Sequence, residues 1–146
     1  MTPDALLSLL ATERASAILR TDHKDRARRA MDAAVRGGMR VVEFTLTVPG
    51  VFDLIAEFAA REDVVVGAGT VLTPEQANDA VDAGARFLVS PVVDEAVIEV
   101  AHTRGVVAMP GVHTPTELLR AHRAGAQLQK LFPAPAGGPA WVRSVL

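Results

Sequence analysis

The stretch Val64-Val65-Val66-Gly67-Ala68-Gly69-Thr70-Val71-Leu72-Thr73-Pro74-Glu75-Gln76 contains a whole strand-to-helix transition. Its first eight residues read as a strand, and the unbroken apolar run Val64-Val65-Val66 suits a parallel strand covered on both faces. Thr73 can cap a helix, Pro74 fits the first helical position, and Gln76 stands where a capping box is completed. One such unit fits many folds. Here it recurs along the chain.

Further strand candidates lie at residues 16–20, 41–47, 87–92, 106–112 and 127–132. With 64–71 they begin roughly every 19–25 residues, the spacing of β-loop-α units rather than of hairpins. Helical periodicity fills residues 24–36, 74–83, 94–103 and 115–124. Thr114-Pro115 with Glu117 repeats the helix-start signal, and Thr2-Pro3 suggests a short N-terminal helix. Gly37-Gly38, Gly84-Ala85 and Gly125-Ala126 each follow a helix, where a left-handed cap is expected. No linker or low-complexity tract interrupts the pattern, so residues 1–146 read as a single domain.

Composition narrows the function classes. The 146 residues are 49% hydrophobic with a net charge of −2, which excludes disorder. Fifteen basic against 17 acidic residues leave no footprint for nucleic acid or an anionic membrane. The absence of cysteine removes disulfides, thiol nucleophiles and thiolate metal sites. No signal peptide or membrane span is visible, so a cytoplasmic location is expected. All basic residues but Lys24 and Lys130 are arginine, an excess that GC-rich codon usage explains.

Two α/β layouts fit, an open doubly wound sheet and a barrel, and each places ligands at the carboxyl ends of its strands. An open sheet concentrates its site at one switch point, whereas a barrel draws polar residues from many strand ends. Arg20, Thr45, Thr47, Thr70, Ser90, His113 and Lys130 are spread in this second way. The pattern favours the barrel, although 146 residues are few for a fold of typically about 250.

Strand alternation puts Lys130 and Phe132 on one face. Partial burial of a lysine disfavours the ammonium form and yields an amine able to attack a carbonyl. A lysine guarding an edge strand is the alternative. Glu43, Thr45 and Thr47 share one face of residues 41–47, and a carboxylate in an apolar strand needs a partner. In a barrel it could meet Lys130, as a structural ion pair or as an acid/base group beside an amine nucleophile. Gly67-Ala68-Gly69-Thr70 lets backbone approach a ligand, but lacks the third glycine of a dinucleotide loop. The four histidines show no metal-ligand spacing; His113 alone sits at a strand end and reads as a loop residue, and Lys24 reads as a solvated surface residue.

Six blocks in order carry a family likeness: Val42-Glu43-Phe44-Thr45, Val66 to Leu72, Leu88-Val89-Ser90-Pro91, Met109-Pro110-Gly111-Val112, Thr114-Pro115-Thr116-Glu117 and Lys130-Leu131-Phe132-Pro133-Ala134. With them the chain resembles the 2-keto-3-deoxy-6-phosphogluconate and 4-hydroxy-2-oxoglutarate aldolases over essentially its whole length. The resemblance implies a class I, metal-free and cofactor-free lyase on a (β/α)8 barrel, usually a homotrimer acting on a small 2-keto acid. It implies Lys130 as the Schiff-base lysine and Glu43 as the general acid/base, working through a water. Thr70 and Arg20 would hold the substrate carboxylate, with Phe132 and Pro91 around the pyruvyl part. Cleavage would give pyruvate with glyceraldehyde 3-phosphate or glyoxylate.

The chain departs from the family at three places. Thr47 stands where some members have a carboxylate-binding arginine, Gln129 occupies a usually apolar position, and Pro135 replaces a common glutamate. The family continues with two further strands whose ends bind the substrate phosphate. The expectation is therefore about six of eight barrel units, from a C-terminally truncated aldolase. The alternatives are the related phosphogalactonate aldolase and a non-catalytic remnant or subunit.

Overall fold

A computed structural model describes residues 1–145. In chain order the elements are α1 (Pro3–Glu13), β1 (Ala17–Leu19), α2 (Lys24–Arg36), β2 (Val41–Thr45), α3 (Val51–Ala59), β3 (Val65–Gly69), α4 (Pro74–Asp82), β4 (Phe87–Ser90), α5 (Glu95–Thr103), β5 (Val107–Val112), α6 (Pro115–Arg123), β6 (Lys130–Leu131) and α7 (Gly138–Val145). Each strand pairs in parallel with the next, giving the order β1-β2-β3-β4-β5-β6. A doubly wound sheet must reverse its strand order at a switch point. This one never reverses, so the chain forms six consecutive units of an α/β barrel-type fold.

The pleat sorts side chains between two apolar layers. Val42, Phe44, Val66, Ala68 and Leu88 point outward and are buried under the helices, where Phe44 meets Phe58 of α3 edge-on at 5.1 Å. Val41, Phe87, Val89 and Val107 point inward, and Leu6 of α1 packs into this second layer. The N-terminal helix thus closes the bottom of the arc. Higher on the same inward face of β2 come Glu43 and Thr45, the only buried polar residues besides Ser90 among the described residues.

The helix starts use the expected chemistry, with one difference. At α6 the box is complete, since Thr114 accepts from the Glu117 amide and the Glu117 carboxylate accepts from the Thr114 amide. At α4, Thr73 accepts from the Gln76 amide, but the Gln76 side chain accepts from Leu72, one residue before the cap. Gly38, Gly84 and Gly125 take the positive φ of left-handed caps, whereas Gly37 stays right-handed.

Three expectations change. Helix α3 has no place among the four expected helical stretches, because Gly50 precedes it in place of a capping side chain. Its buried Val51, Leu54, Ile55 and Phe58 at i, i+3, i+4 and i+7 are the signal that finds it. Strand β6 shrinks from residues 127–132 to two residues. The Gln127 side chain, not a backbone carbonyl, accepts from the Ala108 amide at 2.9 Å, and Pro133 has no N–H to continue the ladder. Lys24 is not freely solvated: its Nζ donates to Asp53 Oδ2 at 2.5 Å, tying α2 to α3, with its stem lying across Gly50. Gln129, the departure beside the lysine, is half-buried and donates to the Ala126 carbonyl at 3.4 Å. Among the described residues, no helix is long and apolar enough to cross a membrane.

Candidate active site

At the carboxyl ends of the strands lies a cavity of about 400 Å³. Arg20, Glu43, Thr70, Pro91, Lys130 and Phe132 all line it, with Ile18 and Thr45 completing the wall. These residues come from five different strands or strand ends and converge only because the sheet curls. A groove of about 500 Å³ between α5 and α6 is larger, but its Arg120 is already paired with Glu95.

Lys130 is half-buried and pairs in register with Gly111 of β5. Its Nζ lies 5.2 Å from the centroid of the Phe132 ring, the residue that alternation places on the same face. Glu43 sits mid-strand opposite Gly67 and is only 3% exposed. Burial raises its pKa above the ordinary carboxylate range, while the nearby charges of Lys130 and Arg20 pull it back down. None of the ion pairs within 4 Å among the described residues includes Glu43 or Lys130. The two groups therefore feel each other electrostatically without being locked together. That arrangement leaves both free to meet a third molecule, which a closed structural pair would not.

The Gly-Ala-Gly motif serves a purpose that the sequence does not reveal. Gly67 and Gly69 share the inward face of β3, opposite Glu43 and Thr45. A β-carbon on Gly69 would overlap Glu43 Oε1 and come within 2.7 Å of its Cδ. One on Gly67 would reach within 2.5 Å of the Phe87 ring. The two glycines hollow a slot that the Glu43 carboxyl fills from above and the Phe87 ring from below.

Thr70 follows at the strand end with φ 60°, a left-handed conformation that a β-branched residue rarely takes. Arg20 Nη2 donates to Thr70 Oγ1 at 2.9 Å, so a guanidinium and a hydroxyl stand side by side at the cavity mouth. Strain of this kind costs on the order of 1–3 kcal/mol and clusters at functional sites. On the neighbouring strand β2, Thr45 pairs in register with Gly69 and shares a hydrogen bond of 2.8 Å with Thr47. Thr45 is missing from the candidate site residues, although its spacing of two from Glu43 already puts it on the inward face. His113 stays outside the cavity. Among the described residues no group of three or more histidine and carboxylate side chains converges as a metal site.

Three kinds of likeness to known proteins bear on the whole chain. The family model for KDPG and KHG aldolases matches residues 7–145. A probable 2-dehydro-3-deoxy-6-phosphogalactonate aldolase from Rhizobium meliloti is 42% identical over 131 residues, covering 88% of this chain and 62% of that protein. The KHG/KDPG aldolase of Escherichia coli K12 is 38% identical over 107 residues, covering 73% of this chain and 50% of its own. The chain thus spans about half to three-fifths of the length of these relatives. Among solved structures, a KDPG aldolase from Legionella pneumophila, with pyruvate captured as a covalent carbinolamine, superposes with a TM-score of 0.74 at 30% identity. That superposition covers 89% of this chain and 64% of the other. By sequence and by the order of its strands, the chain belongs to the KDPG and KHG aldolase family.

Proposed function

We propose that this chain carries the catalytic centre of a Schiff-base aldolase that cleaves a 4-hydroxy-2-keto acid to pyruvate and an aldehyde. The observation that carries this reading is a half-buried lysine amine facing a buried, unpaired carboxylate in one cavity, with an arginine–threonine pair at its mouth. The Lys130 amine adds to the C2 ketone, and loss of water leaves an iminium. Glu43 accepts the proton of the C4 hydroxyl as the C3–C4 bond breaks. The bonding pair moves into the iminium, giving an enamine and releasing the aldehyde. Glu43 returns the proton to the enamine carbon, and hydrolysis frees pyruvate and the amine. Arg20 and Thr70 bind the carboxylate, and Phe132 and Pro91 pack against the pyruvyl group.

Within this class the substrate is 2-keto-3-deoxy-6-phosphogluconate, 4-hydroxy-2-oxoglutarate or both. The Rhizobium meliloti relative favours a second reading, the 6-phosphogalactonate epimer. Comparing cleavage rates on the two C4 epimers separates them. The convergence of six candidate residues on one cavity favours catalysis over an inactive remnant. A single barrel domain, a homotrimeric assembly and a cytoplasmic location complete the proposal by analogy with the family.

Reduction with borohydride in the presence of pyruvate tests the centre directly. The expected product is one stable pyruvate adduct, located at Lys130 by peptide mass spectrometry and lost in Lys130→Ala. A folded protein that yields no adduct, or an adduct at Lys24 instead, defeats the proposal.

A further inference from the structure

His113 lies just past the end of β5, and its three interactions tie the lysine strand to two helices. Its backbone amide donates to Glu117 Oε2 at 2.9 Å, which commits it to the capped start of α6. Its ring Nδ1 lies 2.7 Å from the Pro133 carbonyl, one residue beyond Phe132. Since a carbonyl only accepts, Nδ1 carries the proton. Its ring also stacks on Trp141 of α7 at 6.2 Å between centroids and 22° between planes.

The need for such a tie follows from β6. The strand is two residues long and, among the described strands, pairs only with β5. The last backbone bond along this ladder is from the Phe132 amide to the Val112 carbonyl at 3.0 Å. Pro133 has no amide to extend the ladder. Past that point, the His113 ring supplies across the same strand pair the bond that the backbone cannot. Phe132, whose ring stands beside Lys130 Nζ, lies between the two anchors.

We propose that His113 is a positioning residue for the Lys130 centre: its Nδ1 bond to Pro133 fixes the end of β6, and with it Phe132 and the lysine. This inference rests on the Schiff-base reading for its consequence, but not for its geometry. Two variants separate the two ring contacts. His113→Asn keeps a donor near the Nδ1 position and loses the stack, whereas His113→Phe keeps the stack and loses the donor.

The hydrogen bond predicts that amide exchange at Phe132 speeds up about tenfold in His113→Phe, the worth of one such bond, and stays within about threefold of wild type in His113→Asn. Borohydride trapping of pyruvate at sub-saturating concentration should fall in the same order. Emission from Trp141, the sole tryptophan, should do the reverse, shifting in His113→Asn and not in His113→Phe. A merely structural role would weaken exchange protection and trapping in both variants in step with their melting temperatures. That result overturns the proposal, as does wild-type exchange at Phe132 in His113→Phe. Failure of the wild-type protein to trap pyruvate would instead strike the Schiff-base reading, and the Phe132 exchange rates would still decide whether the tie exists.

Discussion

Replacing Gly69 by alanine puts one methyl group where the Glu43 carboxyl now sits. The new carbon would overlap Oε1 and stand 2.7 Å from Cδ and 3.0 Å from Cγ. Carbon atoms rest at about 3.5–4.0 Å, so the carboxyl must retreat by roughly 1 Å. The backbone gives no separate objection, since Gly69 ends β3 as one of its paired residues and does not have a positive φ. The damage is therefore steric and local. Overpacking of this size costs about 1–3 kcal/mol of stability. A displacement of about 1 Å in a reacting group costs about 100-fold in rate, or about 2.7 kcal/mol.

Two assays on the same sample separate the amine from the carboxylate. Lys130 is on another strand, so borohydride trapping of pyruvate should change by less than about threefold, the amine chemistry being untouched. Exchange of pyruvate methyl protons with deuterated water needs Glu43 to move a proton, and should fall about 100-fold. Shortening the intruder's neighbour in Gly69→Ala/Glu43→Asp should recover part of the lost stability, giving a non-additive cycle. Methyl exchange at the wild-type rate in folded Gly69→Ala would refute the slot as the device that positions Glu43.

Two other outcomes follow from the same cavity. Burial raises the Glu43 pKa above its usual value near 4.5, so the folded state holds that proton more tightly than the unfolded chain. The associated stability is present below about pH 4.5 and is lost as pH rises through the folded pKa. Glu43→Gln should therefore melt higher than wild type at pH 7, with the gap closing toward pH 4; a gap that widens on acidification contradicts the assignment. Thr70→Gly relieves a left-handed β-branched residue, a strain of about 1–2 kcal/mol, against about 0.5–1 kcal/mol of added chain entropy. Its stability in urea should at least equal wild type while trapping requires more pyruvate, and a loss beyond about 1 kcal/mol would show that Thr70 is not strained.

The order of the strands and of the helices other than α3, the inward face of β2 and the two residues of the proposed catalytic pair are legible along the chain. The reason is that alternation, helical periodicity and Thr-Pro caps are properties of neighbours in sequence. Val42 and Phe44 on one side, Glu43 and Thr45 on the other, need no tertiary contact to be sorted. The helix over Val51–Ala59 shows how far that depends on a cap, since its apolar spacing is regular but its start carries no capping side chain.

What lies between distant strands was decided only by folding. A sheet that never reverses its order, rather than one with a switch point, depends on which strands pair across 20 or so residues of intervening chain. Whether Glu43 closes on Lys130 as an ion pair or remains apart depends on how the sheet curls between β2 and β6, which no local pattern encodes. The glycines of β3 carry the same lesson. Sequence shows that they lack side chains; only the neighbouring strands show that Glu43 and Phe87 occupy the vacated volume. Local periodicity decided which residues face inward, and packing between remote strands decided what they meet there.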